Sequence, residues 1–480
     1  MPISVNVSAI LSGQGLDVAN VVQQIISAQS GQLSVWQNQQ STFATQNGLL
    51  AGINNNLTNL QTAVAALASP TGALTAQAAT SSQPGILTGA AQSTAISGTH
   101  SIVVTGLATT GTLYTEPIAA GAATSFLPTS QTTGDFQIQV GGATGTARDI
   151  AITQGSNDTL NSLASYINTQ STTNQWGVTA SVVSDASGSR LALQSQASGT
   201  TGALALVSNS NTTSLTFDTP TGGANAALFI DGVPFSSTTN IVTGAIPGVT
   251  LSLVSQSNTA VQLTVGADTA QITAAVNNFV SAYNTVVSTI NAEYVVDPTG
   301  AIPAPPLESD ISLRALQSNL LADASYAVGG NGGMVNLASL GINSNNDGTL
   351  TIGSNAAGET FAQVVAANPG AVQSFFQNST GTGFANNFNT DLTGLTDVTL
   401  GPLNVDLKQN QTEQADLAKT ITNFQIQLSS RQVQLTAQYN AINASLQAYP
   451  LLLQEVTQTL GSMSPIGSAG TAHPTLTSGL

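Results

Sequence analysis

The spacing of apolar and polar positions divides the chain into two helical ends and a strand-rich middle. Between residues 16 and 68, Trp36, Phe43, Leu50, Leu57 and Val64 form a ladder in seven-residue steps, and Ile53, Leu60 and Leu67 form a second one three residues on. Alternating steps of three and four draw one apolar seam along a helix, the pattern of a coiled coil. The earlier members of the second ladder are Gln39 and Gln46, so the seam weakens toward its start. Asp17 suits the positive end of the helix dipole. Ser69-Pro70 ends the helix, because the residue before a proline avoids the α region.

A counterpart covers about 406–460. Leu417, Ile421, Phe424, Leu428, Leu435, Ile442 and Tyr449 keep the same steps, interrupted by Arg431 and Gln438. Pro450 is expected to break or kink this helix. Leu451, Leu452, Leu453, Val456 and Leu460 form a further apolar stretch, and the Gly-, Ser- and Thr-rich residues 461–480 read as a disordered tail. Amphipathic helices at both ends predict that the termini pair, inside one molecule, in a bundle with other chains, or both. The candidate self-assembly positions are Trp36, Phe43, Leu50, Ile53, Leu57, Leu60, Val64, Leu67, Leu417, Ile421, Phe424, Leu428, Leu435 and Ile442.

Between the helices the period changes to two. His100–Leu107, Phe136–Val140, Ile150–Ile152, Val178–Val183 and Arg190–Leu193 read as strands, with a helix over Thr159–Asn168. This predicts a β-β-α-β-β unit at 134–196, followed by a Gly/Ser/Thr-rich connector at 197–227. Leu228–Phe235, Val249–Val254 and Ala260–Val265 are further strands, Thr269–Asn291 is a helix, and a shorter helix starts near Asp310. The fold class is α+β: paired N- and C-terminal coiled-coil-type helices enclosing inserted β-rich domains.

Composition narrows the function. Six Lys and Arg stand against 22 Asp and Glu, a net charge of −16. That balance argues against binding nucleic acid, which needs clustered cations, and against an electrostatic anchor on anionic lipid. There is no cysteine, so disulfides and thiolate chemistry are excluded. The 41% of hydrophobic residues, regularly patterned, separates the chain from disordered polymers despite its Gly and Thr content. No 18-residue apolar run spans a membrane. The first basic residue is Arg148, so no basic segment precedes an apolar one as in a cleaved secretory signal.

Candidate chemistry is sparse. His100 and His473 are the only histidines, the first opening a strand and reading as a surface residue, the second in the tail. Asn343, Asn345 and Asp347-Gly348 match half of a calcium loop, but Ser354 stands where the bidentate Glu belongs, which favours a hairpin turn. The carboxylates are scattered singly. No catalytic, cofactor or metal site is expected, and the chain reads as a non-enzyme.

Four segments in order resemble the flagellar filament cap family, hook-associated protein 2. They are Ser12-Gly13-Gln14-Gly15-Leu16-Asp17, Phe229–Phe235 with Asn240-Ile241 and Ile246–Leu251, the helix Val276–Asn291, and Leu337–Ile342 with Asn346–Leu350. The unit at 134–196 is similar to a repeat shared by flagellins and cap proteins, marked by Ile167-Asn168 and Val178–Val182. The resemblance implies a leg of terminal helices and a plate of inserted β domains. It divides the chain at 1–75, 76–125, 126–227, 228–404, 405–460 and 461–480. It further implies a homo-oligomeric ring, pentameric in the family, that caps the filament tip and promotes flagellin polymerisation. Its expected partners are itself, flagellin, hook–filament junction proteins and an export chaperone, and its expected location is the extracellular flagellum tip, reached without a cleaved signal. A surface adhesin binding glycans, or another flagellin-like structural protein, is the alternative reading.

Overall fold

The computed structural model describes residues 16–462, apart from 143–144, 210–213, 296, 300, 302, 332 and 379 and the side chain of Pro450. Ser12–Gly15, His473 and the tail from 463 onward lie outside the described residues.

The N-terminal helical region consists of two helices, Val18–Gln29 and Gly31–Ala68, where the periodicity predicts one. The break falls at Ser30-Gly31, a Ser–Gly step of the kind that interrupts helices. The first helix is capped as expected, with the Asn20 amide donating to the Asp17 carboxylate at 3.1 Å. The second stops at Ala68, ahead of Pro70. The C-terminal helix is continuous from Pro402 to Ser462, so of the expected break or kink at Pro450 the break does not occur. A proline removes a single backbone donor from the ladder, and the turns on both sides keep the remaining bonds. The helix therefore extends two residues into the segment that reads as a tail.

Three cores follow one another along the molecule. The first is helical. The half of Gly31–Ala68 from Leu50 to Leu67 packs against the helices Thr269–Ala292 and Phe384–Leu395, joined by Ile311–Ala324, Phe361–Ala367 and Pro369–Phe376. Its centre is an aromatic cluster in which Phe375 stacks on Phe384 at 5.4 Å and Phe279 meets Phe388 edge-on at 6.0 Å. The hairpin Ile342–Ser344 with Leu350–Ile352 closes one side. Its loop is the turn predicted at Asp347-Gly348. The Gly348 amide donates to Asn345 O at 3.0 Å, and the Asp347 carboxylate accepts from the Thr349 amide, also at 3.0 Å.

The second core lies in a head of antiparallel strands: β1 (Gln77–Ser81), β2 (Leu87–Ala91) and β3 (Gly98–Gly106). After an inserted domain with six strands of its own, β4 (Thr110–Tyr114), β5 (Thr133–Val140), β6 (Thr146–Thr153), β7 (Val178–Asp185), β8 (Gly188–Ser198) and β9 (Leu204–Asn209), the head resumes with β10 (Ala226–Ile230), β11 (Val233–Ser237), β12 (Ile241–Ile246), β13 (Val249–Leu253) and β14 (Val261–Ala267). One sheet has the order β1-β14-β3-β10-β11 and the other β12-β13-β2. Alternate residues of both, such as Val104, Leu228, Leu251 and Leu263, enclose the core. Leu228–Phe235 is thus two strands rather than one. Asp231 and Gly232 form a two-residue hairpin with φ of 52° and 82°, the positive pair that a type I′ turn requires.

The insert holds the third core. Its sheets are β4-β8-β7 (Thr110–Tyr114, Gly188–Ser198, Val178–Asp185) and β6-β5-β9 (Thr146–Thr153, Thr133–Val140, Leu204–Asn209), sharing a core with the helix Leu160–Asn174. The β-β-α-β-β unit is present and two further strands join it. β4 lies ahead of position 126, and β9 lies in the segment that reads as a connector. Both are short, five and six residues, and each is held by the strand it pairs with, β4 by β8 and β9 by β5.

Candidate assembly helices

The Pro402–Ser462 helix packs along both N-terminal helices, so the two ends of the chain pair within one molecule. The predicted seam then divides into three parts. Leu50, Ile53, Leu57, Leu60, Val64 and Leu67 are all 0% exposed and lie inside the helical core. Fully burying a Leu, Ile or Val is worth about 1.5–3 kcal/mol. These six positions are filled by the chain's own core.

The middle part is a half-buried contact between the long helices. Trp36 meets Phe424 edge-on, with ring centroids 5.3 Å apart. Phe43, Leu417 and Leu428 are half-buried, and Ile421 is 7% exposed. Leu435 is buried beneath Val18 and Val22, with Leu16, Ile25, Ile26 and Tyr439 around them. The third part begins at Ile442, which is 48% exposed and off the packed face. A straight helix drifts by roughly 20° per heptad relative to a seven-residue repeat, so a ladder extended in sevens leaves its partner. Tyr439 and Asn443 hold the packed positions instead, and the Leu16 amide donates to Asn443 Oδ1 at 2.6 Å.

A polar row that sequence reasoning missed runs beside the apolar one. The Asn47 side-chain amide donates to Gln414 Oε1 at 3.1 Å, and Asn54 donates to Asn404 Oδ1 at 3.2 Å. Gln61 donates to Thr393 Oγ1 at 3.2 Å and accepts from Thr396 Oγ1 at 2.9 Å. These three residues are seven apart, and that spacing of amides was the available signal. With so few charges, the helices are registered by amide hydrogen bonds. The one ion pair on the C-terminal helix among the described residues, Lys419–Asp416 at 2.9 Å, is largely exposed and adds little.

Beyond Asn443 the C-terminal helix carries an unpartnered apolar stripe. Ile442, Leu446, Tyr449, Leu453, Val456 and Leu460 follow steps of four, three, four, three and four. Leu446 is half-buried, and Tyr449, Leu453, Val456 and Leu460 are 50–66% exposed. This is the a/d pattern of a coiled-coil seam with no partner in the chain's own described residues.

The residues weighed for chemistry have structural tasks. His100 Nδ1 lies 2.8 Å from Asp231 Oδ2, and the Ser101 amide donates to Asp231 Oδ1 at 2.8 Å. These bonds pin the β10–β11 turn to β3, and the His100 hydrogen bond, followed by the Ser101 amide, holds the Asp231 carboxyl below the usual carboxylate range. Among the described residues no three His, Asp or Glu side chains are placed to hold a metal ion, and no helix is long and apolar enough to cross a membrane.

Comparison with known proteins bears on the arrangement of terminal helices around inserted sheets. The sequence pattern of the flagellar hook-associated protein 2 N-terminus matches residues 14–111, and that of its C-terminus matches residues 223–449. The chain belongs to the flagellar hook-associated protein 2 family. The flagellin hook IN motif matches 135–197, inside the insert. The B-type flagellar hook-associated protein 2 of Pseudomonas aeruginosa is 29% identical over 459 residues, covering 89% of this chain and 92% of that one. The polar flagellar hook-associated protein 2 of Vibrio parahaemolyticus is 30% identical over 182 residues, covering 37% of this chain and 26% of that one. The crystal structure of the D1-D2-D3 domains of the flagellar cap protein FliD from Escherichia coli superposes with a TM-score of 0.55. The two are 22% identical, over 76% of this chain and 99% of the other, a likeness of fold.

Proposed function

We propose that the protein acts as a filament cap: copies join in a ring at the extracellular tip of the flagellum, retain exported flagellin and promote its polymerisation. Membership of the hook-associated protein 2 family, over both ends of the chain, carries the reading. The physical requirement is a subunit that holds neighbours and incoming flagellin by contacts specific in register and weak enough to exchange. The amide row and half-buried seam are taken up inside the chain, where they hold its own two ends in register, so contacts between copies fall to surface the chain leaves open.

The element that joins copies is the exposed stripe Ile442–Leu460. It is a coiled-coil seam left open by the chain's own folding. Tyr449→Asp with Leu453→Asp places charge in the stripe without touching any of the three cores. Sedimentation of the purified double variant is expected to give monomers with an unchanged helical spectrum. A variant that still forms the parent's oligomer would show that the stripe is not the joining element. The reading extends to flagellin, hook–filament junction proteins and an export chaperone as partners.

A further inference from the structure

Head and insert are connected by two chain crossings, one between β3 and β4 and the other leading into β10. Two strands of backbone alone would make a hinge. The hydrogen bonds there make something else. Asn240, between β11 and β12, matches the backbone of Ala108 at both ends: the Ala108 amide donates to its Oδ1 at 2.7 Å, and its Nδ2 donates to Ala108 O at 2.9 Å. The crossings are tied to each other, since the Thr109 amide donates to Ala224 O at 2.9 Å and the Ala224 amide to Thr109 Oγ1 at 3.1 Å. The end of β8 and the loop after it then reach the second crossing and the head. The Thr200 amide donates to Asn225 Oδ1 at 2.8 Å, and Ser198 Oγ donates to Thr238 O, in the head, at 2.7 Å.

Packing tightens the same point. Gly199 has φ +75°, and a Cβ there would fall 2.6 Å from Asn225 Oδ1 and 2.7 Å from Thr238 Cα. The insert's backbone therefore touches the head's backbone directly, at a position only glycine fills. A Cβ on Gly223 would in turn collide with the Gly199 carbonyl. Rotation of the insert would have to break these bonds together and open a backbone-to-backbone contact.

From these bonds and contacts we infer that the β3–β4 and β9–β10 crossings are a locked joint, so that the head and the insert move as one rigid body. Flexibility between them is set by side-chain amides at Asn225 and Asn240 and by the absence of a side chain at Gly199. In a cap, a joint of this kind holds the insert at a fixed angle to the head while the terminal helices exchange contacts.

Spin labels test this directly, because the chain has no native cysteine. Val183→Cys in the insert and Val254→Cys in the head are both at positions more than half exposed. The doubly labelled full chain, diluted with unlabelled chain to suppress distances between copies, is measured by pulsed dipolar spectroscopy. A single narrow distance distribution is expected. Asn225→Ala with Asn240→Ala should widen it at least about twofold while the circular dichroism stays that of the parent, as expected when only a local contact set opens. Gly199→Ala gives a second lesion at the same joint, with the same widening expected. A broad or two-peaked distribution in the otherwise unaltered chain overturns the inference, whatever the variants do. So does an unchanged narrow distribution in every variant that folds.

Discussion

Burial holds the Asp323 carboxyl, on the helix Ile311–Ala324, beside Asp391 of Phe384–Leu395, with Tyr283 of Thr269–Ala292 facing them. Burial first, and then the hydrogen bond and charge of Asp391, push the Asp323 carboxyl up to about 8. Burial and Asp323 likewise raise the Tyr283 hydroxyl, to about 12. A carboxyl that ionises near pH 4 when unfolded thus takes up a proton on folding. Its contribution to stability is complete below about pH 4 and is lost as the pH rises toward 8. Asp323→Asn should remove that slope and leave the variant about 1–3 kcal/mol more stable than the parent at pH 8.5. Urea unfolding at pH 5, 7 and 8.5 checks this, and parallel pH profiles for the two proteins would count against it. None of this was legible in the sequence, where Asp323 is one of many single acids and Asp391 lies 68 residues away. The Asp231-Gly232 turn was legible, since Asp-Gly between apolar residues signals a hairpin, but the alternating run across it reads as one strand.

The long helices were readable as elements because a seven-residue ladder sustained over several turns keeps one face of a helix and alternates faces in a strand. Their partners were not. Leu50–Leu67 looks the same as Ile442–Leu460 in spacing, yet one stripe is fully buried and the other is open. What separates them is the presence of Thr269–Ala292 and Phe384–Leu395 against the first, a long-range fact. The helices Phe361–Ala367 and Pro369–Phe376 were missed although their caps are local. Thr360 closes a capping box with Gln363, and Asn368 caps a helix that begins with Pro369. The contrast between the stripes is measurable. Leu57→Ala should cost about 2–5 kcal/mol in denaturant unfolding, as for other large-to-small core changes. Leu453→Ala, measured on the monomer, should stay within about 0.5 kcal/mol of the parent. Comparable losses at both positions would mean that the C-terminal stripe is covered within the chain.

For the whole molecule, the division into helical core, head and insert means that the β-rich part does not depend on the terminal helices for its interior. Residues 77–267, which contain the head and insert cores, should fold alone, with a cooperative thermal transition and dispersed amide resonances. A fragment without either would show that the helical core is required. The helical ends around a strand-rich middle were legible from the change of period along the chain, while β4 and β9, lying in segments rich in Thr, Gly, Ala and Ser, were not. As a filament cap, the protein would join its copies through the exposed C-terminal stripe. The most direct measurement is made in flagellated cells lacking the gene, complemented with the parent or with Tyr449→Asp/Leu453→Asp, by following flagellin in the medium and filament length by electron microscopy. The parent should restore long filaments. The deletion and the double variant should release unpolymerised flagellin and leave short or absent filaments, with the variant protein still exported. Normal filaments without the gene would contradict the capping function, and normal filaments with the double variant would contradict the stripe's role in it.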